Sequence, residues 1–253
     1  MKANYSYLVS RIEELGKHPD DLKILDYGCG GGEVVEQLIS LGYNAYGCEY
    51  FGPGSGTNIK EKLTKKGLLP DKVHIITEVD TGFEDDFFDV VLSNQVFEHI
   101  PDIKPVLKEI HRVLKPNGAF INVFPHKGTV REAHCHIPYA HRLPQKSKIL
   151  YFWLVIFKKL GFGRRKKEKD ASKWAHFWMD WIPANTHYIN KFAVYRSYSE
   201  HFQFKEESPK YLAYRLRKKG WYTLAKWATN FSGLSRAFTH ALGGLVLFAV
   251  PKK

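Results

Sequence analysis

The 253-residue chain is poor in cysteine and has no long apolar run. Cys29, Cys48 and Cys135 are far apart and form no C-x-x-C pair, which argues against a disulfide framework and favours a reducing compartment. The longest apolar run covers only residues 149–157, whereas a helix that crosses a bilayer needs about 20 residues. The first residues lack the apolar core of a signal peptide, so we expect a cytoplasmic protein.

The two halves of the chain differ in tryptophan content and in net charge. Residues 1–125 contain no Trp, and their 13 basic and 19 acidic residues give a net charge of −6. Residues 126–253 hold all six Trp, with 25 basic and 7 acidic residues and a net charge of +18. Apolar residues make up 44% of the chain, which excludes disorder as its main state. The basic, aromatic half suggests an anionic partner: nucleic acid, an acidic or phosphorylated small molecule, or a membrane surface.

Apolar runs that alternate with helical stripes predict five parallel strands in the first half. The expected strands are Lys23–Tyr27, Asn44–Cys48, Val73–Thr77, Phe88–Ser93 and Ala119–Phe124. Helices are expected at Glu33–Leu41 and Asn58–Lys66, after a turn at Gly52–Gly56, and along a stripe from Ile103 to Leu114 that Pro116-Asn117-Gly118 would end. Later in the chain we expect a helix at Asn190–His201, a strand at Phe202–Glu206, helical structure over 208–240 and a closing strand at Gly243–Val250.

A glycine-rich turn, D-x-G-x-G-x-G, follows the first strand from Asp26 to Gly32. The dinucleotide fingerprint G-x-G-x-x-G fails, because Glu33 stands where the third glycine would be. A P-loop also fails, because no Gly-Lys-Ser/Thr follows. A carboxylate this close would repel a pyrophosphate, so the loop suits a ligand with a cationic sulfonium and an amino acid end.

These motifs are similar to those of the Rossmann-like class I S-adenosylmethionine-dependent methyltransferases, over about residues 20–125. LDYGCGGG resembles the family's first motif, NAYGCEY its ribose-binding second strand, and FDVVLSNQVFEH its fourth strand and E-H pair. For the pair Glu98-His99, a local role in helix capping and packing is an equal alternative. The resemblance implies S-adenosylmethionine as cofactor and S-adenosylhomocysteine as product. The implied cofactor-binding residues are Asp26, Gly28, Cys29, Gly30, Gly32, Glu49, Tyr50, Glu78, Val79, Asn94, Gln95 and His99.

The resemblance also implies the fold class, α/β. We expect a seven-stranded, mostly parallel Rossmann-like sheet with its last strand antiparallel, helices on both faces, and a helical insertion or cap after the fifth strand. The expected division is a cofactor-binding half at 1–125, an acceptor-binding insertion or cap at 126–190, and C-terminal helices and closing strands at 191–253.

Histidines cluster just after the fifth strand, where an open parallel sheet binds its ligands. His126, His134, His136 and His141 are the candidate catalytic bases, because imidazole titrates near neutral pH. A polar loop and a metal site are the alternatives; we predict no metal, although Glu132 with His134, His136 and His141 leaves that question open. The candidate acceptor-binding residues are Lys127, Arg131, Glu132, Arg142, His187 and Tyr188.

An aromatic run ending in RRKKEK, from residue 151 to 169, has two interpretations. One is a buried helix with a solvated basic end; the other is a segment that inserts in a membrane interface while its cations meet anionic headgroups. Trp174, Trp178 and Trp181 share one helical face, which fits either a packed cap or the lining of an acceptor pocket.

The leading hypothesis is therefore a methyltransferase that acts by in-line methyl transfer, on oxygen, of a small or carrier-linked anionic acceptor. Such acceptors include a phosphorylated sugar, a surface-polysaccharide precursor and a lipid-like molecule. The alternatives are an RNA methyltransferase, which the basic charge favours, and a non-catalytic protein that retains the cofactor fold. Peripheral contact with the inner face of a membrane is a further expectation.

Overall fold

Alternating strands and helices form a single mixed sheet in the computed structural model, which describes residues 3–51, 58–77, 79–242 and 244–252. The strands are β1 (Lys23–Tyr27), β2 (Asn44–Tyr50), β3 (Val73–Ile76), β4 (Phe88–Asn94), β5 (Leu114–Phe124), β6 (Phe202–Glu206) and β7 (Leu245–Pro251). The helices are α1 (Ala3–Glu13), α2 (Glu33–Ser40), α3 (Asn58–Lys65), α4 (Ile103–Val113), α5 (Lys148–Lys159), α6 (Ala171–Asn185), α7 (Lys191–His201), α8 (Ser208–Lys218), α9 (Tyr222–Asn230) and α10 (Ser232–Leu242), with short 3-10 turns at Pro19–Asp21 and Phe97–His99.

The sheet has the strand order β3-β2-β1-β4-β5-β7-β6. The first five strands pair in parallel, and β7 is antiparallel to both β5 and β6. This confirms the expected seven-stranded, mostly parallel architecture with an antiparallel last strand. Because β1, β2 and β4 are parallel, the loops that follow them meet at one edge of the sheet.

Both faces of the sheet are covered by helices. One apolar cluster joins Ile24 and Val90 to buried residues of α1, α2 and α8, and a second joins Leu25 and Val91 to buried residues of α4 and α7. Adjacent strand residues therefore face opposite cores, as expected for a central parallel sheet. A third cluster consists of buried residues between Cys135 and Ile182; the division at 125/126 and 190/191 stays a prediction.

The strand and helix predictions hold apart from their ends, with one difference of type. Leu114 was expected at the end of a helix, and Pro116-Asn117-Gly118 was expected to stop that helix. Instead α4 ends at Val113, and Leu114 is extended and pairs with Phe88 as the first residue of β5. Ala119 then pairs with Val90, so the Pro-Asn-Gly segment forms a bulge within the strand. The expected turn at Gly52–Gly56 and the first residue of the expected closing strand, Gly243, lie outside the described residues.

Among the described residues, no helix has the length and apolar content needed to cross a membrane.

Candidate active site

The glycine loop between β1 and α2 depends on backbone that side chains rarely adopt. Gly28, Gly30 and Gly32 have φ of 76°, 55° and 73°. A Cβ at Gly28 would lie 2.4 Å from Cγ2 of Val96, and one at Gly32 would lie 2.5 Å from Cδ1 of Leu68. No described atom comes within 4 Å of a Cβ at Gly30. Two of the glycines are thus required by packing, while the middle one faces open space.

Glu49, near the end of β2, is tied to this loop. The backbone N–H of Gly30 donates a hydrogen bond of 2.6 Å to Oε2 of Glu49. Burial raises the pKa of this carboxyl, and the bond from Gly30 opposes that rise. The carboxylate therefore lies beside the loop, at the position where the sequence predicts a partner for the ribose hydroxyls.

Asp26, the leading acid of the motif, is only 3% exposed. Burial, followed by the nearby charges of Glu49 and Glu33, raises its pKa to about 7. The group is therefore close to half ionised at neutral pH. A cation placed nearby would favour its ionised form, so its charge should respond to ligand binding.

The other predicted cofactor residues lie around the same edge of the sheet or in its core. Cys29 is buried, and its backbone N–H donates to Cys48 O over 3.0 Å, while Tyr50 is exposed at the end of β2. Val79 packs against the second apolar cluster, and Glu78 lies outside the described residues. Asn94 ends β4 and accepts a 2.9 Å hydrogen bond from Asn4 of α1.

Gln95, directly after β4, has a φ of 59° and donates its backbone N–H to Val123 O over 2.8 Å. This left-handed residue turns the chain toward Val96, which covers Gly28. The glycine loop is thus in direct contact with the segment that leads to Glu98 and His99. Asp102 caps α4 by accepting from the Lys104 N–H over 3.0 Å, so Glu98 and His99 do not cap that helix.

Glu132 organises the histidine-rich segment. It is fully buried. Its Oε1 accepts hydrogen bonds from His134 Nδ1 at 2.8 Å and from the Tyr188 hydroxyl at 2.6 Å. Its Oε2 accepts from the backbone N–H groups of His134 and Cys135. Burial alone would raise the pKa of Glu132, but these bonds lower it to about 2. Because four protein donors occupy both oxygens, Glu132 is placed to hold His134 rather than an acceptor.

His134 is brought next to the Glu98-His99 pair from far along the chain. The rings of His99 and His134 lie 5.0 Å apart, and that of Trp181 lies 4.8 Å from His134. His99 Nδ1 lies 2.5 Å from the carbonyl oxygen of Asn185. Glu98 is 1% exposed, and its burial raises its pKa to about 8. From the sequence, Trp181 was expected in a packed cap or an acceptor-pocket lining, whereas Asn185 was assigned no role and nothing local marks its contact with His99.

The other three predicted catalytic histidines lie apart from this group. His126 is buried beside the His240 ring at 5.0 Å, and burial followed by the charge of His240 lowers its pKa to about 4. His141 packs on Tyr188 with ring centres 4.5 Å apart, and its Nε2 lies 3.3 Å from Lys127 O. His136 has a φ of 64° and donates its backbone N–H to Glu132 O.

The predicted acceptor-binding residues divide between surface and interior. Lys127, Arg131 and Arg142 are exposed, and the Arg142 guanidinium lies 5.4 Å from the Tyr139 ring centre. His187 donates its backbone N–H to the carbonyl of Glu98 over 2.6 Å. The segment before α7 therefore contacts both Glu98, through the His187 backbone, and Glu132, through the Tyr188 hydroxyl.

The strand order and the glycine loop are those of the Rossmann-like class I methyltransferase fold. Residues 25–122 match a family model described as a methyltransferase domain. These residues are an S-adenosylmethionine-dependent methyltransferase domain, and S-adenosylmethionine is the cofactor of that domain.

Curated relatives are similar over the same half of the chain. A ubiquinone biosynthesis O-methyltransferase of Maricaulis maris is 34% identical over 110 residues, which are 42% of each chain. A sterol 4-C-methyltransferase of Caenorhabditis elegans is 34% identical over 123 residues, 48% of this chain and 35% of that protein. The chain thus spans less than half the length of these two relatives.

Phosphoethanolamine N-methyltransferase 2 of Haemonchus contortus has a similar solved structure. The TM-score is 0.50 at 14% identity, covering 98% of this chain and 53% of that one. At this identity the likeness concerns the fold.

Proposed function

We propose that the whole protein transfers the methyl group of S-adenosylmethionine to an oxygen atom of a small or carrier-linked acceptor, one that is anionic and lipid-like. The observation that carries this proposal is the contact between Gly28 of the cofactor loop and Val96, two residues before Glu98. It joins the cofactor loop to the polar group around His134. Methyl transfer is an in-line displacement, for which the protein supplies alignment worth up to roughly 7–11 kcal/mol.

In this proposal the cofactor lies along the glycine loop. Glu49 accepts hydrogen bonds from the ribose hydroxyls, a role that its bond to Gly30 supports. Asp26 stabilises the cationic end of the cofactor. Tyr50 and Val79 flank the adenine side, and Asn94, Gln95 and His99 the methionine side.

His134 takes the proton from the acceptor hydroxyl in the metal-free enzyme. Its Nδ1 faces the ionised Glu132 at 2.8 Å, so Nδ1 carries the proton and Nε2 keeps its lone pair. Its side chain is 20% exposed, which leaves the ring accessible. A base in this position adds about 10²–10⁴-fold to the rate. His126, His136 and His141 stay weaker candidates, because each lies apart from the Glu98-His99 pair.

Two observations support an anionic, lipid-like acceptor. Lys127, Arg131 and Arg142 are exposed on the segment that leads to and from His134. The curated relatives are named for ubiquinone biosynthesis and for a sterol, both lipophilic.

Peripheral contact with an anionic bilayer is part of the proposal, and helix α5 is the element that would make this contact. One face of α5 packs inward through Leu150 and Leu154. Three large apolar side chains on the opposite face, and that of Leu160 directly after the helix, are exposed by 53–65%; they are Ile149, Phe152, Ile156 and Leu160, spaced three or four residues apart. The exposed cations of the 164–169 run follow directly. Apolar insertion next to cations that meet anionic headgroups is the chemistry of an interfacial segment.

Transfer of radiolabelled methyl groups into a cell extract tests the activity. The extract is separated into soluble, lipid, polysaccharide and RNA fractions after reaction. We expect label in the lipid fraction, and less of it when Glu49→Gln protein replaces the wild type at limiting S-adenosylmethionine. Label in RNA that ribonuclease removes would instead make the protein an RNA methyltransferase, and no label in any fraction would contradict the proposed activity.

Co-sedimentation with vesicles tests the membrane contact. We expect the protein to pellet with vesicles containing phosphatidylglycerol and not with pure phosphatidylcholine. Phe152→Glu with Ile156→Glu should abolish pelleting, whereas Phe192→Glu, on the exposed face of α7, should leave it unchanged. Equal pelleting of all three proteins would refute a role for α5.

A further inference from the structure

Three potential metal ligands lie close together at the turn that follows β4. Glu98, His99 and His134 each offer one ligand atom, and these atoms all lie within 4.8 Å of one another. The set differs from the one that the sequence suggested, because Glu132 spends both oxygens on protein donors and neither His136 nor His141 joins the group.

Hydrogen bonds fix the same tautomer in both imidazoles. His99 Nδ1 faces the carbonyl oxygen of Asn185, and His134 Nδ1 faces the carboxylate of Glu132. Both partners are acceptors, so each Nδ1 carries a hydrogen and each Nε2 keeps a lone pair. A carbonyl or carboxylate that holds the second ring nitrogen is the usual support of a metal-bound histidine.

Glu98 supplies the observation that points to a cation. It is 1% exposed, and neither carboxylate oxygen has a hydrogen-bond partner on another described residue. Glu132, equally buried and close by, has four donors. A buried carboxylate with no partner avoids the cost of its charge by taking up a proton, whereas a bound metal ion would stabilise the ionised form.

We propose that Glu98, His99 and His134 bind one divalent transition-metal ion. Two imidazole nitrogens and one carboxylate are a ligand set that Zn²⁺ and similar ions prefer. The exposed side of His99 gives the ion a route in, and three protein ligands leave at least one position for an outside oxygen. The inference goes beyond the proposed methyl transfer: in the loaded protein the ion occupies Nε2 of His134 and itself activates a bound hydroxyl.

Titration of tag-free, metal-stripped protein with Zn²⁺ in a calorimeter tests the site, with Co²⁺ absorption spectra as a second readout. We expect one equivalent to bind and the Co²⁺ bands to be those of a low-coordinate nitrogen and oxygen site. Glu98→Gln and His99→Gln should each weaken Zn²⁺ binding at least ~100-fold, since each removes a direct ligand. Glu200→Gln and His176→Gln, exposed residues outside the cluster, are the matched controls.

The binding test does not depend on methyl transfer, so failure of the two proposals can be told apart. Unchanged Zn²⁺ binding in Glu98→Gln and His99→Gln, or less than one equivalent bound to the wild type, would overturn the site. Circular dichroism of the stripped proteins checks the fold. His99 is exposed, so its substitution carries the test even where Glu98→Gln perturbs packing.

Discussion

We expect the buried acid before the glycine loop to make the affinity for S-adenosylmethionine depend on pH. Asp26 has a pKa of about 7 because of burial and the charges of Glu49 and Glu33. If the cationic end of the cofactor binds only the ionised form, affinity follows the ionised fraction. That fraction rises about tenfold between pH 6 and pH 8, which corresponds to ~1.4 kcal/mol of binding free energy.

The comparison that isolates this effect is wild type against Asp26→Asn. S-adenosylhomocysteine affinity is measured by calorimetry at pH 6 and pH 8. The amino group of the ligand titrates as well, but that contribution cancels in the ratio of the two affinities. We expect the ratio to change about tenfold in favour of the wild type at the higher pH. Glu36→Gln, an exposed acid on α2, is the control that should behave as wild type.

The free energy of unfolding gives an independent readout, because the Asp26 contribution to it should fall with rising pH, whereas ligand affinity should rise. The pKa of Asp26 is raised in the folded protein, so unfolding releases a proton between about pH 4 and pH 7. The Asp26 contribution therefore falls as pH rises through that window, by up to ~4 kcal/mol, and stays constant above it. In urea unfolding, the free energy of unfolding of Asp26→Asn should rise relative to that of the wild type from pH 5 to pH 8. An affinity ratio and a stability difference that do not change with pH would refute the reasoning.

Three further predictions concern the loop and the packing of α1. Glu49→Gln should weaken S-adenosylhomocysteine binding by ~10- to 100-fold in calorimetry, because a charged hydrogen-bond partner is lost; unchanged affinity would remove Glu49 from the site. Gly28→Ala should destabilise the protein by ~2–4 kcal/mol, since its Cβ meets Val96 at 2.4 Å and its φ is 76°; a second change, Val96→Ala, should recover the steric part in urea unfolding. Glu207→Gln should cost ~3–5 kcal/mol, because it breaks the buried pair with Arg11 at 2.8 Å. A loss below about 1 kcal/mol, no larger than for an exposed pair, would contradict that buried role.

The strands and the glycine loop of the first 125 residues were predictable because their signals are local. An apolar run, a glycine that permits positive φ and a helical stripe each act within a few residues. The strand Lys23–Tyr27 was therefore predicted with its observed ends, and the Asp26–Gly32 loop lies where the motif requires it. Leu114 was assigned to the wrong element, because pairing with Phe88 outweighed the helical stripe that precedes it.

The contacts of the histidine-rich segment were harder to predict, because residues that are close along the chain need not be close in space. His134 and His136 are two residues apart, yet only His134 meets Glu98 and His99. Tyr188, whose hydroxyl shares Glu132 Oε1 with His134, lies more than fifty residues later in the chain. Nothing within a short window of sequence reports such a contact.

The sequence by itself determined the class of fold, the cofactor and the glycine loop after β1, because alternating apolar runs and glycines constrain the backbone wherever they occur. It also determined that the excess positive charge lies after residue 125. Only the tertiary structure decided which polar side chains work together. Glu132 forms a hydrogen bond with His134, and buried Glu98 has ligand atoms within 4.8 Å of those of His99 and His134. Burial and hydrogen-bond partners set the charge and proton position of each group, and both arise only when distant segments pack against one another.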